Sequence, residues 1–197
     1  MSSAIKPTLN GLRVSLRPFA PGDHPAIVRA LQDPEVVRLT GSPVAEFDEH
    51  RLRDWYSTRH EQDDRLDLAV VDRATGAWVG EVVLNELDRP NQSCNFRILI
   101  GPDGRDRGLG TEAVRLLLAY AFQHLGLHRI SLWVYAFNPR ARHVYEKAGF
   151  VAEGTLRDAL RTPDGRVDAT VMAVLAPDWA ATGSPCACVA CAVATSD

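Results

Sequence analysis

Leu12-Arg13-Val14-Ser15-Leu16-Arg17 alternates apolar and polar residues, the period of a strand with one face buried. Asn10-Gly11 supplies a turn before it and Pro18 ends it. Asp23 is suited to cap a helix reaching about Leu31, with Pro25 in its first turn, and Asp33-Pro34 breaks that helix. Beyond the Gly41-Ser42-Pro43 loop, residues 46–60 read as a mostly charged helix with Leu52, Trp55 and Tyr56 on one side. Three strands follow, Leu66–Val71, Trp78–Leu84 and Asn95–Ile100, the first two joined as a hairpin by the turn cluster Asp72–Gly76. A strongly apolar helix spans about Leu109 to Leu125, and a further strand spans Arg129 to Ala136. Asn138-Pro139 opens a short helix that ends at Gly149, and a last hairpin pairs residues 150–160 with 166–175 around Pro163-Asp164-Gly165. Pro177 marks the end of the packed region. The order β-α-α-β-β-β-α-β-α-β-β predicts a mixed α/β layer domain rather than a regular βαβ array.

This reading divides the chain into a polar leader at 1–9, one domain at 10–179 and a disordered, Ala- and Cys-rich tail at 180–197. A length of 197 residues suits one domain able to bury its own core. Lys plus Arg number 22 against 25 Asp plus Glu, a net charge of −3, so no overall field draws the chain to nucleic acid or an anionic membrane. No apolar run is long enough to span a bilayer and no secretory leader opens the chain. Cys94 stands alone while Cys186, Cys188 and Cys191 crowd the tail, which is no disulfide framework and fits a reducing cytoplasm. Those three sulfurs fall short of a closed zinc site, and histidines 24, 50, 60, 124, 128 and 143 have no metal-ligand spacing, so no metal is expected.

The stretch with most chemistry runs from the strand ending Ile98-Leu99-Ile100 through Gly101-Pro102-Asp103-Gly104-Arg105-Asp106-Arg107-Gly108-Leu109-Gly110-Thr111 into a helix. A helix start leaves N–H groups unpaired and favours anions, and Gly108 and Gly110 let the backbone approach a phosphate closely. Arg105 and Arg107 add positive charge, so the loop reads as a pyrophosphate cradle. Glycines that merely join a strand to a helix are the plain alternative. Residues 108–113 also satisfy G-x-G-x-x-A, but seven residues separate Ile100 from Gly108 and the next strand ends without the acid that a dinucleotide fold requires. A nucleoside-triphosphate loop needs a lysine that is missing here.

Arg105-x-x-Gly108-x-Gly110 resembles the acyl-CoA pyrophosphate motif of the GNAT superfamily of N-acetyltransferases. The resemblance extends from about residue 11 to residue 178 and includes Asn138-Pro139-Arg140-Ala141-Arg142-His143-Val144-Tyr145-Glu146-Lys147-Ala148-Gly149-Phe150. Asp33-Pro34-Glu35-Val36, Glu153-Gly154 and Arg157 are similar to the Rim-type branch, which acetylates ribosomal-protein N-termini and also holds enzymes for small amines. The resemblance implies a mostly antiparallel twisted sheet with a splayed strand pair and helices on both faces. It implies acetyl-CoA as co-substrate and, as acceptor, the primary amine of a small molecule or a protein N-terminus; a homodimer is compatible with it.

By that resemblance Ile98 and Ile100 offer backbone groups to the pantetheine arm and thioester. Arg105, Asp106, Arg107, Gly108, Leu109, Gly110 and Thr111 hold the pyrophosphate, and Asn138 and Arg142 also belong to the cofactor site. Asn138 is equally suited to a helix N-cap. Asp106 is unusual beside phosphates and is expected to point away. Tyr145 occupies the position of the family's general acid, with a packed aromatic as the alternative. Glu81 is the preferred base, with Glu86, or a water chain to a backbone carbonyl, also able to serve. Ala141 stands where ribosomal-protein enzymes often carry a serine, which moves thiolate protonation to Tyr145. Trp55 and Tyr56 are read as walls of the acceptor pocket or as core. Oxidation of Cys94, just ahead of the pantetheine strand, is expected to affect activity. The competing functional class is a catalytically silent GNAT-fold module that holds CoA or acyl-CoA and regulates a partner.

Overall fold

Every residue of β3 (Leu66–Asp72) is buried. Leu66, Leu68 and Val70 join one apolar cluster, while Ala69 and Val71 join another. Successive strand side chains point to opposite faces, so β3 lies inside a sheet covered on both sides. The computed structural model describes residues 6–41 and 48–181. Within them the other strands are β1 (Leu9–Asn10), β2 (Val14–Arg17), β4 (Trp78–Asp88), β5 (Ser93–Ile100), β6 (Arg129–Tyr135), β7 (Val151–Thr162) and β8 (Gly165–Leu175). They form one sheet in the order β1-β2-β3-β4-β5-β6-β8-β7.

The helix α4 (Leu109–Gln123) fills the first cluster with Leu109, Ala113, Val114, Leu116, Leu117 and Leu118, as an almost wholly apolar helix must. It packs against β1, β2, β4 and β5. The opposite face is covered by α1 (His24–Gln32), α2 (Pro34–Thr40) and α3 (Glu49–Ser57), with Ile27, Ala30 and Trp78 at the centre of the second cluster. The fold is therefore the expected mixed α/β one, with helices on both faces of a mostly antiparallel sheet.

One pairing positions the site. β5 and β6 run parallel, but their register stops at Asn95 opposite Ser131. β5 continues to Ile100, still paired to β4, and β6 continues to Tyr135, still paired to β8. The two strands part like a V, and α5 (Pro139–Lys147) follows β6 on the α4 side.

Four sequence expectations need correction. Leu9, placed in the leader, is fully buried and forms β1, because Asn10-Gly11 turns the chain and Gly11 N–H donates to the Val14 carbonyl at 2.8 Å. A two-residue strand has no period to read. Asp33-Pro34 ends α1 but also starts α2: the Asp33 carboxylate accepts from Val36 N–H at 2.9 Å and Pro34 takes the first helical position. Pro177 likewise opens a helix, α6 (Ala176–Ala181), whose Trp179 packs on Phe122 with ring centroids 5.4 Å apart. The charged helix is shorter than 46–60, spanning Glu49–Ser57 with a tight turn after it; residues 46 and 47 lie outside the described residues, as does the tail from 182 with its three cysteines.

Candidate active site

The gap between β5 and β6 opens into a cavity of about 980 Å³ that reaches both faces of the sheet. Gly101 N–H donates to the Val79 carbonyl at 2.9 Å, which fixes the phase of the β4–β5 ladder. In an antiparallel pair the N–H groups alternate in direction, so those of Ile98 and Ile100 point away from β4 and into the gap. Both residues line the cavity.

At one end lies the glycine loop, held from behind by its own side chains. Arg105 donates to Glu35 at 2.5 Å and to Asp33 at 2.7 Å, tying the loop to the start of α2. Arg107 donates to Asp72 at 2.6 Å and to the Asp103 carbonyl at 3.1 Å. Arg13 donates to the Arg107 carbonyl at 3.1 Å and, through its backbone N–H, to Glu112 at 2.9 Å. Gly108 caps α4 in the left-handed region, φ 72°. A Cβ on Gly110 would lie 3.2 Å from Ile100, so α4 begins close against β5. Among the described residues the N–H groups of 106–111 find no protein acceptor. The arginines thus act as struts, and the backbone is what the loop presents. Arg107 and Leu109 do not line the cavity: the Arg107 guanidinium faces Asp72, and Leu109 is core at 2% exposure.

Asn138 caps α5 by accepting from Ala141 N–H at 3.1 Å, a contact typically worth about 1 kcal/mol. It also lines the cavity, together with Ala141. Arg142 is a correction: it turns away, to Glu146 at 2.9 Å on the exposed side of α5, and does not reach the cleft. Its neighbour Arg140 does line the cavity and pairs with Asp106 at 2.7 Å. Asp106 has φ 59° and a side chain 81% exposed, its carboxylate is held by Arg140 of α5, and it too lines the cavity.

Glu81 and Tyr145 face the cavity from opposite sides of the sheet. Glu81 shares the α1–α3 face with Leu99, its partner across β4–β5. Burial pushes its carboxyl above the ordinary carboxylate range, against the opposing pull of a 2.7 Å hydrogen bond from the Tyr56 hydroxyl. Tyr56 in turn packs edge-on to Phe19 at 4.7 Å, which fixes that hydroxyl; the half-exposed Trp55 beside it carries the Arg59 guanidinium 3.5 Å over its ring. Both aromatics line the cavity. Tyr145 sits in the α4-side core at 8% exposure, perpendicular to Phe96 at 6.2 Å, and burial raises its phenol well above the usual value. Its hydroxyl is bonded by no described residue. One cavity thus joins a carboxyl of raised basicity to a phenol held protonated, the protonation behaviour that a base and an acid require.

A family profile described as the Acetyltransferase (GNAT) domain matches residues 13–151. The chain belongs to the GNAT acetyltransferase family. It is 37% identical over 114 residues to the spermidine N(1)-acetyltransferase of Vibrio cholerae, covering 58% of this chain and 64% of that protein. It is 31% identical over 104 residues to YdaF of Bacillus subtilis, provisionally named a ribosomal N-acetyltransferase, covering 53% of this chain and 57% of that one. The chain thus matches less than two thirds of the length of these curated relatives. The solved structure of the Vibrio cholerae spermidine N-acetyltransferase with CoA and spermine superposes with a TM-score of 0.78 at 26% identity, covering 85% of this chain and 98% of that one. The Rim-type resemblance thus has a named counterpart, and the GNAT splay is the gap between β5 and β6.

Sequence reasoning named Tyr56 as a wall or core residue but missed its bond to Glu81, and it missed the Arg140 pair with Asp106 and the Arg13 strut altogether. The alternation Glu81-Val82-Val83 held a usable signal, since Val83 and Glu81 must share a face, but which face met the cleft depended on α3. Cys94 is also corrected: it is 4% exposed and burial pushes its thiol up to about 12, so it is a packed, unreactive group below the gap. Among the described residues no cluster of three His, Cys, Asp or Glu could hold a metal ion. No described helix is long and apolar enough to cross a membrane.

Proposed function

We propose that the protein transfers acetyl from acetyl-CoA to the primary amine of a small molecule, by direct attack in a ternary complex. The observation that carries this reading is the single cavity with an open N–H cradle at one end and Glu81 and Tyr145 on its two walls. The open N–H groups of 106–111 form the cradle for the pyrophosphate, and Asn138 and the N–H groups of Ile98 and Ile100 line the path of the pantetheine arm. Of the side chains expected there, Arg105 and Arg107 support the loop from behind.

The amine must be neutral to attack, and a side-chain-type amine has a pKa near ~10.4. Glu81, raised above the ordinary range, takes the proton as the N–C bond forms. A backbone N–H on β5 meets the developing oxyanion. As the C–S bond breaks, the Tyr145 hydroxyl gives its proton to the CoA thiolate and reloads from water. The name of the Vibrio cholerae relative supports a small-molecule amine over a protein N-terminus. The cytoplasmic setting expected from cysteine usage belongs to the same proposal, supported by the free, buried Cys94.

Thiol release from acetyl-CoA, followed over a panel of polyamines, diamines, amino acids and peptides, tests this. Turnover with at least one small amine is expected. Tight CoA binding without release on any acceptor would instead favour a silent CoA-binding module.

A further inference from the structure

The sheet face beneath α2 and α3 is the acceptor wall. Val83 pairs with Asp67 on one side and Arg97 on the other, and Glu81 pairs with Leu99, so all five side chains share that face. Most of the wall's charges are already committed. Asp67 accepts two bonds from Arg65, each 2.7 Å, and lies 3.7 Å from the buried Lys6 amine. Glu35 is taken by Arg105, and Glu81 by Tyr56.

Arg97 is the exception among the wall's arginines. It is exposed, lines the cavity, and has no hydrogen bond or ion pair among the described residues. It is the diagonal neighbour of Glu81 across β4–β5, a backbone separation of about 7–8 Å. Glu86 also faces the cavity with no described partner, from the irregular end of β4. A cavity shaped for a polycation should offer spare carboxylates near the transfer point. This wall offers, beside the base, a guanidinium bonded to no carboxylate though its charge is felt by Glu81, and one spare carboxylate farther along β4. A guanidinium's planar fork matches a carboxylate better than any other side chain does.

We infer that the acceptor is an amino acid-like molecule, with a carboxylate a few bonds from an amine, and that Arg97 binds this carboxylate while Glu81 takes the amine's proton. The inference rests on the acetyl-transfer reading above and narrows its substrate class. It departs from the polyamines that the Vibrio cholerae relatives are named for.

Matched acceptors that differ by one carboxylate test it: ornithine against putrescine, lysine against cadaverine, and 4-aminobutyrate against propylamine. Thiol release should give a kcat/KM at least tenfold higher for the acid-bearing member of one or more pairs. Arg97→Gln should reduce that ratio at least tenfold, mainly through KM, and Arg97→Lys should restore part of it; a melting curve checks that each variant is folded. Equal use of both members, or preference for the diamines, overturns the inference and leaves acetyl transfer standing. An equal loss on every acceptor, with a displaced pH profile, also overturns it, because Arg97 then acts only through Glu81. Release with no amine at all removes the parent reading and this one together.

Discussion

The two ends of the cavity are built in opposite ways. At the proposed cofactor end, residues 105–111 are contiguous, the Arg105 and Arg107 side chains reach back to Asp33, Glu35 and Asp72, and the N–H groups of 106–111 are left without a protein acceptor among the described residues. At the proposed acceptor end the groups come from α3, β3, β4 and β5, and the side chains themselves face the cavity. A pyrophosphate can be recognised by N–H groups that any sequence carries, provided glycine permits the approach. An acceptor must be recognised by side chains that differ from one enzyme to the next. One end should therefore respond to backbone geometry and the other to side-chain chemistry, and substitutions can separate the two.

The largest effect is expected from Tyr145→Phe, which removes only the hydroxyl oxygen. kcat should fall about 10²- to 10³-fold, within the usual range for a general acid, while the CoA Kd stays put. An unchanged rate would leave Tyr145 as packing against Phe96. Glu81→Gln comes next, with kcat/KM about 10²-fold lower near neutral pH. The deficit should shrink as pH rises, because the amine then loses its proton unaided. In the wild type the acid limb of the pH profile should lie above the ordinary carboxylate range, since burial raises the Glu81 carboxyl. The stability sign is the reverse. A raised folded-state pKa stabilises the fold at low pH and loses that contribution as pH rises through it, so the wild type should lose stability relative to Glu81→Gln on alkalinisation.

At the cofactor end Gly108→Val should weaken CoA binding about 100-fold by calorimetry. A β-branched residue is strained at φ 72°, and its Cβ would press within 3.2 Å of the Arg13 guanidinium. The smallest effect belongs to Arg107→Ala. A strut behind the loop acts on CoA only through the backbone it supports, so its loss should change the CoA Kd only about three- to tenfold, the size of one ordinary hydrogen bond. A loss as large as that of Gly108→Val would erase the distinction between a backbone cradle and a charged one.

The same contrast explains what could be read from the sequence. The loop was legible because its glycines, arginines and helix start are local and their spacing is the signal. Asn138 as a cap and the apolar α4 were legible for the same reason. Arg142 was misplaced because residue type at a motif position does not fix rotation about a helix; a turn onto Glu146 takes it out of the cleft. Tyr56 meeting Glu81 across 25 positions, Arg140 meeting Asp106, and Arg97 lying diagonal to Glu81 depend on which sheet face α3 covers and on where β5 parts from β6. Alternation limits such a residue to two faces, and only the packing chooses between them. The helix α2 was hidden by Asp33-Pro34, a pair that breaks one helix and starts the next.

Both ends belong to one continuous cavity running through the gap between β5 and β6. A bisubstrate compound, CoA joined through an acetyl bridge to the nitrogen of the best acceptor, tests that continuity most directly by titration calorimetry. Occupation of both ends at once should make it bind about 10²-fold tighter than CoA or more, and it should compete with acetyl-CoA and with the amine. Binding no tighter than CoA, with the amine still able to bind alongside it, would contradict that continuity.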